Sequence, residues 1–161
     1  MSESASPDSP DPLGELAPFA GRWTGAGEGH YPTVDDFAYV ETIELNPLPG
    51  KPFLMYVSRT KHRDDGRPLH TENGYLRRSG GDIEFLVSQP TGFVEIQRSQ
   101  LSHGVLDFTP VVFERSPDAK PVRELRRRFV LDGDTLRYDL WMAHADTPLT
   151  HHLRAELRRE G

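Results

Sequence analysis

The sequence predicts an all-β fold, an antiparallel up-and-down β-barrel of about ten strands, and three observations carry that prediction. Short runs rich in strand-forming residues recur, among them Glu84-Phe85-Leu86-Val87 and Phe93-Val94-Glu95-Ile96. Turn pairs punctuate the runs: Asp65-Gly66, Gly80-Gly81, Thr91-Gly92, His103-Gly104 and Asp132-Gly133. No helical run separates them, which argues against βαβ units.

Taken in order, strands are expected near 21–29, 37–47, 51–62, 68–77, 82–88, 92–99, 104–113, 121–131, 134–143 and 148–159. Leu13 to Phe19 allows a short helical turn ahead of the first strand. Asp132-Gly133 lies between Phe129-Val130-Leu131 and Thr135-Leu136-Arg137-Tyr138. That placement fits a two-residue type I′ hairpin, whose central residues both take positive φ. A sandwich is the competing arrangement. Successive tight hairpins without the long crossings of Greek keys favour the barrel, which at this size leaves room for one ligand.

A length of 161 residues, 35% of them hydrophobic and 27% charged, suits one domain and is short for two. That domain is read as 13–161. Met1 to Pro12 is Ser, Pro and acidic residues with almost nothing apolar, and is expected to be a disordered tail. It lacks the basic start and apolar stretch of a signal peptide, so the cytoplasm is the expected compartment. Absence of cysteine excludes a disulfide framework, thiolate metal sites and a cysteine nucleophile. A net charge of −6 argues against nucleic-acid binding, and no apolar run nears the length of a membrane span. A monomer or a homodimer is expected.

Two segments carry chemistry. In Gly21-Arg22-Trp23-Thr24-Gly25-Ala26-Gly27, continued by Glu28-Gly29-His30-Tyr31-Pro32-Thr33, three glycines alternate along one side of a strand. That side admits another backbone, a plug or a flat ligand, or marks a bend at a barrel corner. Trp23 is placed to close the barrel end where the chain enters. No helix follows the glycines, so they form no dinucleotide fingerprint. The second segment runs from Met142 to Leu157 and contains Pro148-Leu149-Thr150-His151-His152-Leu153.

Together these segments resemble the nitrobindin family, with its Gly-x-Trp-x-Gly-x-Gly signature, a following Tyr-Pro-Thr, and a Pro-x-x-x-His-Leu near the C-terminus. The matches are Gly21, Trp23, Gly25 and Gly27, then Tyr31-Pro32-Thr33, then Pro148 with His152-Leu153. The resemblance spans roughly residues 13 to 160 and implies a barrel similar to fatty-acid-binding proteins with haem b in its mouth. It makes His152 the iron ligand and catalytic residue, and Thr33 a haem-binding residue. It also puts a basic residue of the eighth strand beside the haem. That strand holds Arg123, Arg126, Arg127 and Arg128; Arg123 is carried forward and the others stay open. The implied activity is a peroxynitrite isomerase producing nitrate at ferric haem, with reversible nitric oxide binding at ferrous haem and protection against reactive nitrogen species. The alternative is a haem-free carrier of fatty acid or another apolar ligand.

Strict alternation along the last strand groups His151 with Leu149, Leu153, Ala155 and Leu157, and His152 with Thr150, Arg154, Glu156 and Arg158. A strand that begins only at Leu153 frees His152 from that phase, so the residues alone leave both histidines open. His30, His62, His70, His103 and His144 read as solvated residues near turns. A zinc site from His144, His151 and His152 is opposed by the divergence of adjacent strand residues. The run from Arg123 to Arg128 reads as a charged outer face, and Asp35-Asp36 as turn chemistry.

Overall fold

Among the described residues, 11–161 of this computed structural model, twelve β-strands and one 3-10 helix follow one another. The helix is Gly14–Phe19, and the first four strands are β1 (Gly21–Tyr31), β2 (Val34–Pro47), β3 (Phe53–His62) and β4 (Pro68–Ser79). Next come β5 (Asp82–Gln89), β6 (Phe93–Ser99), the short β7 (Leu101–Ser102), β8 (Val105–Asp107) and β9 (Thr109–Arg115). β10 (Val122–Asp132), β11 (Thr135–His144) and β12 (Thr147–Arg159) complete the chain. All are antiparallel neighbours in the order β7-β8-β10-β11-β12-β1-β2-β3-β4-β5-β6-β9. Most of the expected tail lies outside the described residues, but Asp11 and Pro12 belong to the fold. The Asp11 carboxylate accepts from the Leu13 amide at 2.9 Å, and the Pro12 carbonyl accepts from Arg78 at 2.9 Å.

The expected strand at 104–113 is divided. β8 pairs with β10 and carries β7 on its outer side, whereas β9 pairs with β6, so the two halves of one segment lie at or next to opposite margins of the curled sheet. Phe108, fully buried, stands at the crossing. Pro110 cannot donate to a ladder, and the register slips beside it. Continuity of the chain through Phe108 draws the two margins of the curled sheet together, while β7 and β9 remain its outermost strands.

Two local expectations are corrected. The hairpin after β10 turns on Gly133-Asp134, because Asp132 pairs with Thr135; only Gly133 has positive φ, the pattern of a type II′ turn. Asp35 and Asp36 open β2 as exposed strand residues, and Pro32-Thr33 forms the turn before them. His103, with a φ of 51°, and Gly104, at 77°, do form a two-residue turn with both residues left-handed.

Trp23 is fully buried at the end where the chain enters, with Leu13, Leu16 and Phe19 of the helical segment over it. Its indole N–H donates to the Phe19 carbonyl at 3.0 Å. The Arg159 guanidinium lies 4.3 Å over its ring and donates to the Ala20 and Pro18 carbonyls, so the last strand latches the cap. The glycines of β1 serve two purposes. A Cβ on Gly25 would strike the backbone of Glu156 and Leu157, so that glycine admits β12. At Gly27 and Gly29 the room is filled by the rings of Tyr39 and Phe37 from β2, where a flat ligand was one of the expected occupants.

The barrel centre is filled by side chains. Phe85, Phe108 and Phe129 pack on one another and on Tyr56, with centroids 4.7–5.9 Å apart. Above them Arg127, only 5% exposed, departs from the expected outer charged face. It donates to both oxygens of Glu72 at 2.7 and 3.1 Å and to both of Glu95 at 2.9 Å. Burial alone would raise the Glu72 carboxyl, but Arg127 and a bond from His70 hold it well below the usual carboxylate range. His70 is therefore engaged with the interior at 3.1 Å, unlike the solvated residue expected. Among the described residues, Glu41 has no cation in contact. Tyr138 and Ser58 donate to its two oxygens at 2.5 Å, and Tyr138 shares a 2.6 Å bond with Tyr39. Burial pushes Glu41 up to about 7 against those two bonds.

Two tests follow from this packing. Gly25→Ala should lower the unfolding free energy by about 1–3 kcal/mol, the usual cost of overpacking. Gly81→Ala, with open space around its Cβ position, should change it by less than about 0.5 kcal/mol; urea denaturation compares the two. For Glu41, the folded carboxyl at about 7 stands above its ordinary 4.5, so the folded state holds the extra proton between those values. Its contribution to stability is therefore present below 4.5 and lost as pH rises through about 7. Denaturation from pH 5 to 8 should show Glu41→Gln gaining on the parent as pH rises.

Candidate functional site

The barrel end opposite Trp23 is bounded by the β1–β2 turn at Pro32-Thr33 and the β11–β12 turn at Ala145-Asp146. Here β12 carries a β-bulge. Leu153 pairs with Leu140 and His151 with Trp141, so His152 is one residue in excess. The excess residue breaks the alternation. Leu153 packs inward with Leu140, and His152 sits beside it against Tyr31 and Phe37, with ring centroids 5.3 and 6.3 Å away. His151 takes the outer side, touching Trp141, Asp139 and His30. Simple alternation would have put His151 inside.

The His152 ring is oriented through one nitrogen. Nδ1 lies 3.0 Å from the His30 carbonyl, which only accepts, so Nδ1 carries the proton and Nε2 keeps its lone pair free. Burial pushes the imidazole below its ordinary 6.5, partly offset by that bond, and favours the neutral form. Tyr31 is buried and donates to the Met142 carbonyl at 3.0 Å, reaching across β12 behind the bulge. A second apolar cluster, Phe93, Val122, Leu125 and Leu140 with Met142 and Leu153 against it, packs next to this position. One neutral imidazole with a free nitrogen, set among apolar side chains, is a donor set that fits haem iron.

Thr33 is exposed in the rim turn, directly after Tyr31 and Pro32. Arg123 is itself in excess at a register slip of β10, and its guanidinium donates at 2.8 Å to the carbonyls of Ala145 and Thr147. It braces the β11–β12 turn. Among the four arginines of β10, Arg127 is the inward one, and it is saturated by carboxylates deep in the barrel. His144 lies edge-on to Tyr31 at 6.5 Å. Among the described residues no three His, Cys, Asp or Glu side chains converge to hold a metal ion, and His144, His151 and His152 do not meet.

Residues 12–159 match the family model described as the THAP4-like, heme-binding beta-barrel domain. The chain belongs to this family. The nitrobindin resemblance, carried by Trp23, the β1 glycines and the Pro148-to-Leu153 segment, therefore holds along the whole barrel. This THAP4-like domain is 59% identical to "Peroxynitrite isomerase 1" of Rhodococcus jostii, over 90% of this chain and 82% of that protein. It is 47% identical to "Peroxynitrite isomerase" of Nocardia farcinica, over 92% of this chain and 90% of that protein. The crystal structure of Rv2717c from M. tuberculosis superposes with a TM-score of 0.85 at 36% identity, covering 96% of this chain and all of that one. No helix of the described THAP4-like domain is long and apolar enough to cross a membrane.

The Pro-x-x-x-His-Leu match singles out His152 but says nothing of what surrounds it. Neither the carbonyl of His30 nor the ring of Phe37 has a signal in residue order, because both reach His152 only through strand pairing. In the haem-free protein, NMR titration of the His152 ring protons should give a midpoint below 6.5, and Phe37→Ser should move it upward by admitting water.

Proposed function

We propose that this chain binds haem b through Nε2 of His152 and isomerises peroxynitrite to nitrate with the iron ferric. The observation that carries this reading is the His152 ring itself. Its Nδ1–H is committed to a backbone carbonyl, its other nitrogen is free, and its surroundings keep it neutral. Relatives named peroxynitrite isomerase over nine-tenths of this chain support the reaction. When bound, ferric haem supplies the Lewis-acid and redox chemistry of the isomerisation.

The residues of the chain do the rest. His152 would hold the haem iron through its free Nε2, with Nδ1 oriented by the His30 carbonyl. Phe37 and Tyr31 pack edge-on against the His152 ring, and Leu140 and Met142 belong to the apolar cluster that its neighbour Leu153 joins. Thr33 and Arg123, both on the rim, are assigned to the polar edge of the haem. When ferrous, the haem would supply reversible nitric oxide binding at the same site, and the protein would serve in the cytoplasm against reactive nitrogen species. The carrier alternative is disfavoured by the interior. Arg127, the group that would meet a fatty-acid carboxylate, already holds Glu72 and Glu95, and aromatic rings fill the space below.

Protein purified from haem-supplied cells should show the absorption of a histidine-ligated haem. His152→Ala should fold and lose that absorption, while His151→Ala keeps most of it; the reverse result overturns the ligand assignment. In stopped flow the ferric protein should speed peroxynitrite decay in proportion to haem and raise the nitrate yield. Equal behaviour of haem-loaded and haem-free protein would refute the isomerase.

A further inference from the structure

The backbone ladder between β1 and β12 stops at the Gly29–Leu153 pair, one step short of His30 and His152. Both strands are irregular there: β12 carries the extra His152, and the β1–β2 register slips between Gly29 and Tyr31. The His30 carbonyl that orients His152 therefore belongs to a residue released from the regular sheet. Side chains on the outer wall tie the two strands at this point. His30 Nε2 and His151 Nδ1 are 2.9 Å apart, and the rings are stacked with centroids at 4.8 Å. On its other nitrogen His151 meets Asp139 at 2.7 Å, and Arg154 donates to the same Asp139 oxygen at 2.9 Å. The Trp141 ring backs His151 edge-on at 5.5 Å.

We propose that Asp139, His151 and His30 form an outer clamp that holds the His30 carbonyl against Nδ1 of His152, making His151 and Asp139 positioning residues for the haem ligand. The inference rests on the ligand reading of His152. Its chemistry is that of a hydrogen bond to a ligating imidazole. A firmly held carbonyl keeps the proton on Nδ1 and enriches electron density at Nε2, which strengthens the iron–nitrogen bond and favours ferric iron. A loosened carbonyl does the opposite. His151 acts from outside the barrel wall and touches neither haem nor substrate.

The test uses His151→Phe, which keeps an aromatic ring against His30 and Trp141 but abolishes both polar contacts. Asp139→Ala removes the outer anchor, and Asp139→Asn keeps an acceptor for His151. In the haem-free protein, nitrogen NMR above neutral pH should show His152 as the Nδ1–H tautomer in the parent. The Nε2–H form should gain in His151→Phe and, less strongly, in Asp139→Ala, with Asp139→Asn restoring the parent state. In ferrous haem-loaded protein, the iron–histidine stretching band should shift to lower frequency in the same two variants, and the reduction potential should rise. An unchanged tautomer and an unchanged band in His151→Phe, with haem still lost in His152→Ala, overturn the clamp alone. Retention of an unchanged haem spectrum by His152→Ala overturns the ligand reading and the clamp with it.

Discussion

Alternation forbids two consecutive residues of a β-strand from sharing one wall, and the extra residue in β12 releases His152 and Leu153 from that rule. Leu153 and His152 thereby turn to the mouth together, while His151 stays outside with Asp139 and Trp141. Everything at the open end depends on this slip. It ends the ladder to β1, frees the His30 carbonyl for an imidazole, and gives Tyr31 its reach to Met142 behind the strand. A bulge at a barrel rim is a usual means of re-aiming one side chain at a site.

Below the mouth the barrel holds charge. Arg127 balances Glu72 and Glu95 through four short contacts, and Glu41 is left to hydroxyl donors alone. Removing one partner of such a buried set costs about 3–5 kcal/mol, because the remaining charge is stranded in a poor dielectric. Intact, the network contributes little net stability and a definite side-chain arrangement. Its consequence is spatial: the centre of the barrel is occupied by ions and rings.

The other end is closed by a different device. Trp23 is covered by the helical segment and stacked by Arg159, a residue of the last strand that also bonds the carbonyls of Pro18 and Ala20. First and last strands pair directly along seven residues, from Trp23–Arg159 to Gly29–Leu153, so the cap and the mouth sit at opposite ends of one ladder. Gly25 sets how closely these strands approach, since any Cβ there would enter the backbone of β12. Cap, ladder and mouth are thus mechanically continuous.

Much of the fold was legible in residue order. Strand runs, turn glycines and the cap tryptophan are local features, decided by propensity, by backbone sterics and by the burial of one large ring. The spacing of Pro148, His152 and Leu153 also made His152 a candidate in residue order. Three things were not legible there. Arg127 looked like one of four surface arginines, because its interior carboxylates lie 55 and 32 residues away. The division of the segment around Phe108 depends on its two halves finding different partners, β10 and β6, which no local pattern states. The side taken by His151 and His152 rests on a one-residue register slip, and register is set by pairing across strands. Residue order by itself determined an all-β chain with a histidine near its C-terminal strand; tertiary structure decided which way that histidine faces, because a strand's phase belongs to its partners as much as to itself.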